Sequence, residues 1–167
     1  MDGVGTPLLC THTDRVLPAW IDYNGHMNVA YYVMLLDRGA DAFFGLLGID
    51  TANLETERKS TFALDARIVY RRELVEGSAV RCLSQLFDYD EKRVHVGHYL
   101  AHAEEGWTAA FSEWVYLHVD MRTRRAAPFP SPVTDKLGNL LATHKGIARP
   151  LELSRPLGLA RPGRSGA

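Results

Sequence analysis

Thiols are scarce in this chain, which carries only Cys10 and Cys82, far apart and outside any C-x-x-C or Cys/His spacing. Such usage excludes a disulfide scaffold and a structural zinc site, and reads as a reducing compartment. An excess of charge is lacking too. Nineteen Lys+Arg stand against 20 Asp+Glu, with no long basic block, which argues against a nucleic-acid partner. Long apolar runs are also missing. The most apolar stretch, VAYYVMLL at 29–36, is closed by Asp37 and Arg38, far short of the roughly 20 residues a bilayer span needs, so no membrane partner is expected. The opening MDGVGTPLLC has neither a basic region nor an apolar core, so no secretory leader is read there and the expected location is cytoplasmic. A phosphate-loop pattern, a dinucleotide fingerprint and a G-x-S-x-G elbow are all absent from the sequence.

What is present fits one domain. A chain of 167 residues with 46% apolar composition can bury a core without metal or disulfides. Residues 8–21 mix apolar and β-branched side chains and read as an opening strand, with Pro18 favouring an edge or strand end. After the Asn24-Gly25 turn, Val29, Tyr32, Val33, Leu36, Ala40, Phe43, Phe44 and Leu47 recur at helical spacing, and Gly48 supplies the stop. The opposite face adds Met34, Leu35, Ala42 and Leu46, leaving only Asp37, Arg38 and Asp41 as a polar stripe. A helix of about 20 residues, roughly 30 Å long, should therefore be buried almost all round.

A polar connection at 51–60 precedes four strand-like stretches separated by short turns at Glu76-Gly77, 89–92 and 104–106, which predicts hairpins and an antiparallel meander. A Pro-rich break leads to a shorter helix with Ser131 as N-cap, Pro132 at N1, and Val133, Leu137, Leu140 and Leu141 on one face. The expected domain is 1–145. The Pro-, Gly- and Arg-rich tail at 146–167 reads as mobile or packed on a neighbouring subunit. The class is α+β, one antiparallel sheet wrapped around one long helix. A helix apolar on nearly every side needs a curled sheet or a second subunit to cover it, so a dimer or tetramer is expected.

Chemistry gathers at the helix entrance. Asp22 is placed at a strand end, Asn24-Gly25 turn the chain, and His26, Met27 and Asn28 lead into the first turn, whose N–H groups lack intrahelical partners. A carboxylate beside free N–H donors has what acyl transfer requires, and a thioester is a suitable electrophile. The same residues also fit a structural reading, with Asp22 and Asn24 as turn formers, Asn28 as N-cap and His26 bonded to a backbone carbonyl. Asp37 likewise fits a polar stripe paired with Arg38 or Arg67. His95, His98 and His102 do not suit a metal on a strand, because His98 and His102 stand about 13 Å apart and His95 points the other way. Arg71-Arg72, or Lys92-Arg93, fit either solvated strand ends or contacts to coenzyme A phosphates.

The stretch D22-Y-N-G25-H26-M-N28-V-A-Y-Y32-x4-D37-R-G-A40 resembles the D-x-x-G-H-V-N-N-x-x-Y-x4-E-x-A signature of hot-dog-fold acyl-CoA thioesterases of the 4-hydroxybenzoyl-CoA thioesterase type. The resemblance implies that the sheet wraps the long helix over residues 8–145. It implies Asp22 as nucleophile or general base, Val29 as the backbone N–H donor to the oxyanion, and His26 and Asn28 as their neighbours in the site. Tyr32 and Asp37 would line or brace the acyl pocket. Two positions depart from the pattern: Val29 replaces the second asparagine, and Asp37 stands where glutamate is commoner.

The wording DYNGHMN is similar to thioesterases of carnitine breakdown, which implies betainyl-CoA as substrate. Trp20, Tyr23, Tyr31, Tyr32, Trp107 and Trp114 are candidates for an aromatic cage around its quaternary ammonium. Coenzyme A would then be part of substrate and product, with no cofactor and no metal. A hot-dog dehydratase and a non-catalytic acyl-CoA-binding protein are the alternatives.

Overall fold

The computed structural model describes residues 8–154, and at 51–53 and 153–154 the backbone alone. Strand β1 (Leu9–Arg15) leads through a 3-10 turn (Pro18–Trp20) to helix α1 (Val29–Leu47). Helix α2 (Thr51–Glu57) follows, then β2 (Lys59–Tyr70), β3 (Ala79–Tyr89), β4 (Arg93–His102), β5 (Thr108–Asp120), the short β6 (Arg125–Ala126) and α3 (Ser131–His144). The sheet runs β1-β3-β4-β5-β2, with β6 added on β5, and every pairing is antiparallel.

Each of the four ladders that order these five strands carries a register shift, at Cys10/His12, Ala63/Asp65, Leu86/Asp88 and Leu100/Ala101. Bulges bend a strand and increase its twist, and the bent sheet curls over α1. Tyr32, Leu35, Leu36, Gly39, Ala40, Phe43, Phe44 and Leu47 form the helix's buried face. Leu35, Leu36 and Phe43 are fully buried, each contributing on the order of 2 kcal/mol. Two apolar clusters flank the middle of α1. One gathers Trp20, Met27, Tyr32 and Leu74 near the helix start; the other gathers Phe43, Phe44, Tyr116 and, from α3, Val133 and Leu137. Between them Gly39 meets Cys82 so closely that a Cβ would overlap its sulfur. Burial pushes the Cys82 thiol up to about 12, so it is a packing residue; Cys10 is exposed, and both are free thiols.

Several expectations need correction. Residues 16–21 are not strand, because Pro18 opens a 3-10 turn in which Trp20 N–H bonds Leu17 O. The polar 51–60 segment holds α2. Glu76-Gly77 does not close a hairpin, since β2 pairs with β5 and the meander is β3-β4-β5 alone. Helix α3 begins at Ser131, with Pro130 as its N-cap and no side-chain cap bond. Within the single chain α1 is buried on one side only, with Val29, Asp37, Arg38, Asp41 and Leu46 exposed.

The segment after Lys145, expected to be mobile or on a neighbour, returns to its own sheet: Gln85 Nε2 donates to Ile147 O at 3.0 Å and Arg149 donates to Phe87 O at 2.6 Å. The rest of that tail, 155–167, lies outside the described residues. Among the described residues no helix is long and apolar enough to cross a membrane.

A polar chain crosses β1, β3 and β4 beneath the helix. Thr11 Oγ1 meets Ser84 Oγ at 2.9 Å, which meets His98 Nδ1 at 2.8 Å. His98 is wholly buried, its ring edge-on to Phe43, and burial pulls its imidazole down to about 3 from an ordinary 6.5. Burial also lowers His144. With the folded value below the unfolded one, the stability from a neutral His98 is complete above about pH 6.5 and is lost as pH falls toward 3. Unfolding free energy should drop by about 2 to 3 kcal/mol from this group between pH 6.5 and 4.5. Denaturant titrations of wild type and His98→Asn check it: the variant should be less stable at pH 7 and show a shallower decline below 6.5, and parallel curves would contradict it.

Candidate active site

Helix α1 starts where three backbone bonds lock the entrance. Ile21 and Met27 form an isolated antiparallel bridge, Met27 N–H bonds Leu74 O at 2.7 Å, and Asn28 N–H bonds Trp20 O at 2.8 Å. The turn between them is closed by Gly25 N–H to Asp22 O and Asp22 N–H to His26 O, both at 3.0 Å. Gly25 holds φ at +81°, a conformation that favours glycine. Asp22 Oδ1 accepts the Asn24 N–H at 2.8 Å, the local bond that makes aspartate a turn former. Asp22 therefore sits in a turn of its own, beyond the end of β1 and not in a strand.

Asn28 has two functions. Its Oδ1 caps the helix by accepting Ala30 N–H at 3.0 Å, and its Nδ2 reaches Asp22 Oδ2 at 3.5 Å. The cap satisfies Ala30 and leaves the Val29 N–H without a hydrogen-bond partner among the described residues. Val29 is 54% exposed and lines a cleft of about 360 Å³ with His26, Met27, Tyr32, Tyr70, Arg71, Arg72 and Glu73. A free donor at a helix start, on a residue that lines a cleft with a carboxylate near by, can hold the charge that develops on a carbonyl oxygen.

Five of the residues expected at the site, His26, Val29, Tyr32, Arg71 and Arg72, meet in this cleft, with Asp22 and Asn28 next to it. Their roles differ from a simple inventory. The Tyr32 hydroxyl accepts the Leu74 N–H at 2.9 Å and so braces the segment after β2. Burial pushes its phenol above the ordinary range, and the charges of Glu73 and Asp22 add to the rise. His26 Nδ1 lies 3.3 Å from Met27 O, the supporting contact that the structural reading describes. Arg71 pairs with Glu152 at 2.7 Å, and Arg72 lies 4.2 Å over the Trp107 ring. Arg93 is taken up by Asp90 at 2.6 Å.

The other expected residues stand elsewhere. Trp20 is buried in the core and stacked on Tyr31 at 5.3 Å, Tyr23 is 96% exposed, and Asp37 lies about 12 Å along the helix from Val29. Trp107 stacks on His102 and Trp114 on Tyr116. Trp20, Tyr31, Tyr32 and Trp107 share the apolar cluster near the helix start, whereas Trp114 packs against the other cluster and Tyr23 faces solvent, so the six do not form one cage. His95 meets Glu113 Oε1 at 2.6 Å while His98 is buried on Ser84, and among the described residues no three metal-ligating side chains cluster. Sequence reasoning missed Met27, Tyr70 and Glu73. Tyr70 and Glu73 flank the Arg71-Arg72 pair, the one signal that drew attention to this segment.

Comparison with known proteins accords with this geometry. Residues 16–137 match the family model described as the thioesterase-like superfamily. The betainyl-CoA thioesterase of Pseudomonas aeruginosa is 34% identical over 91% of this chain and 96% of its own length. The L-carnitine dehydrogenase/betainyl-CoA thioesterase of Rhizobium meliloti is 32% identical over 88% of this chain, which spans 29% of that longer protein. A hypothetical protein from Staphylococcus aureus, solved in complex with CoA, superposes with a TM-score of 0.85 at 25% identity, covering 95% of this chain and all of that one.

The architecture is the hot-dog fold, and the molecule is a thioester hydrolase. This chain belongs to the thioesterase-like superfamily.

Proposed function

We propose that the chain hydrolyses a small acyl-CoA thioester, betainyl-CoA, in the breakdown of carnitine, with Asp22 as the reacting carboxylate. The observation that carries this reading is the unpartnered N–H of Val29, a residue that lines the cleft, with Asp22 held near the helix start through Asn28. Val29 N–H stabilises the oxyanion, and the reacting oxygen is Asp22 Oδ2, which Asn24 leaves free and Asn28 Nδ2 reaches at 3.5 Å. The carboxylate takes a proton from water as it adds to the carbonyl, or adds itself and is released by water. Either route ends in free acid and the CoA thiol. Water is the one co-reactant, and we assign no cofactor. The relatives named as betainyl-CoA thioesterases support the acyl group, and the CoA-bound neighbour supports the carrier.

We also infer self-association through β2. It is an edge strand of 12 residues in which Phe62, Ala63, Leu64, Asp65 and Ala66 are all exposed. A long apolar edge offers a row of unpaired N–H and C=O groups to a second copy.

Incubated with betainyl-CoA, the purified protein should release free thiol, and Asp22→Asn should lower kcat by at least about 100-fold. Asparagine keeps an oxygen for the Asn24 N–H, so the circular dichroism spectrum should not change. Full activity in that variant would mean another group does the chemistry. Light scattering should return a dimer or tetramer of the 18.7 kDa chain, and Leu64→Lys should shift it toward monomer; a monomeric wild type would contradict pairing through β2.

A further inference from the structure

Charge in the cleft is set by which side chains are already engaged. Arg71 and Arg72, the two cations of its lining, are both turned to protein partners, Glu152 and the Trp107 ring. Glu73 is different. It lines the same cleft and is exposed, and among the described residues it makes no hydrogen bond or ion pair. Tyr70 lines the same cleft, 46% exposed, with its ring packed edge-on to Tyr32 at 5.4 Å and 87°. The uncommitted charge of the cleft lining is thus negative, and both Glu73 and Asp22 lie close enough to Tyr32 to raise its phenol.

A free carboxylate is a poor lining for a site that must admit coenzyme A, because it repels the anionic carrier and gains nothing from a neutral acyl group. It becomes favourable when the acyl group brings a cation. A quaternary ammonium suits such a place, since it has no N–H to leave unsatisfied and is drawn both to a carboxylate and to an aromatic ring. The acyl chain is also short, so its cation must sit next to the thioester carbonyl, within the cleft that Val29, Tyr70 and Glu73 all line.

We infer that Glu73, with the Tyr70 ring, is the specificity-determining pair that selects acyl groups carrying a positive charge adjacent to the thioester. This rests on the hydrolysis of betainyl-CoA proposed above and assigns its cation to residues that the motif does not contain. Asp37 is excluded as an intrachain partner of that cation by its distance along α1 from Val29, about 12 Å.

The test compares kcat/KM for betainyl-CoA and for its neutral isostere, 3,3-dimethylbutanoyl-CoA, in which carbon replaces the ammonium nitrogen. Both esters carry the same CoA, so any general change in binding the carrier cancels in their ratio. Wild type should favour the cationic ester by about 100-fold, and Glu73→Gln should cut that preference by about tenfold or more. Glu73→Asp should retain part of it, and circular dichroism reads the fold of each variant.

A ratio in Glu73→Gln equal to that of wild type would overturn the assignment of Glu73 while leaving the betainyl reading standing. Wild type that cleaves the two esters equally, or cleaves neither, would overturn the betainyl reading and this inference together.

Discussion

The packing of one long apolar helix under a single curled sheet is the constraint from which the rest of the molecule follows. Helix α1 presents a continuous apolar face from Tyr32 to Leu47, and leaving it in water would cost more than the sheet's distortion does. The sheet bends at four register shifts to reach round it. At the centre, glycine on the helix and cysteine on β3 allow a close approach. The two apolar clusters on either side hold the helix at both ends, the far one closed by α3.

Fixing the helix also fixes its open end. The same backbone that carries the entrance is tied twice to Leu74, through Met27 N–H to its carbonyl and through the Tyr32 hydroxyl from its N–H. Those bonds bring the chain just after β2 against the first turn of α1, which is why Tyr70 to Glu73 line the cleft. Structure and the proposed chemistry share residues here. Asp22 is a turn former and Asn28 a helix cap, and these local bonds orient the carboxylate and leave Val29 N–H free.

The helix was legible because its apolar residues recur at three and four and end at Gly48, whose N–H turns back to Gly45 O and Phe44 O. The meander was legible from short turns between β-branched runs. The partner of β2 was not, since pairing with β5 depends on contacts across some fifty intervening residues, and Glu76-Gly77 has the composition of a hairpin without being one. At seven residues, α2 is too short to show a period. In the site, the motif carried His26, Asn28, Val29 and Tyr32 because local backbone places them. The separate aromatic-cage reading named Trp20, which the core takes, and Tyr23, which faces solvent. Glu73 was invisible because only the fold carries it to the helix entrance.

The central claim is that the first turn of α1 supplies the oxyanion donor, and the amide of Val29 reports it directly. A betainyl-CoA analogue with a methylene in place of the thioester sulfur keeps the carbonyl and resists hydrolysis. Titrated into the 15N-labelled protein, it should move the Val29 amide proton downfield, the sign of a hydrogen bond formed on binding. Saturable binding that leaves the Val29 resonance in place would contradict the account.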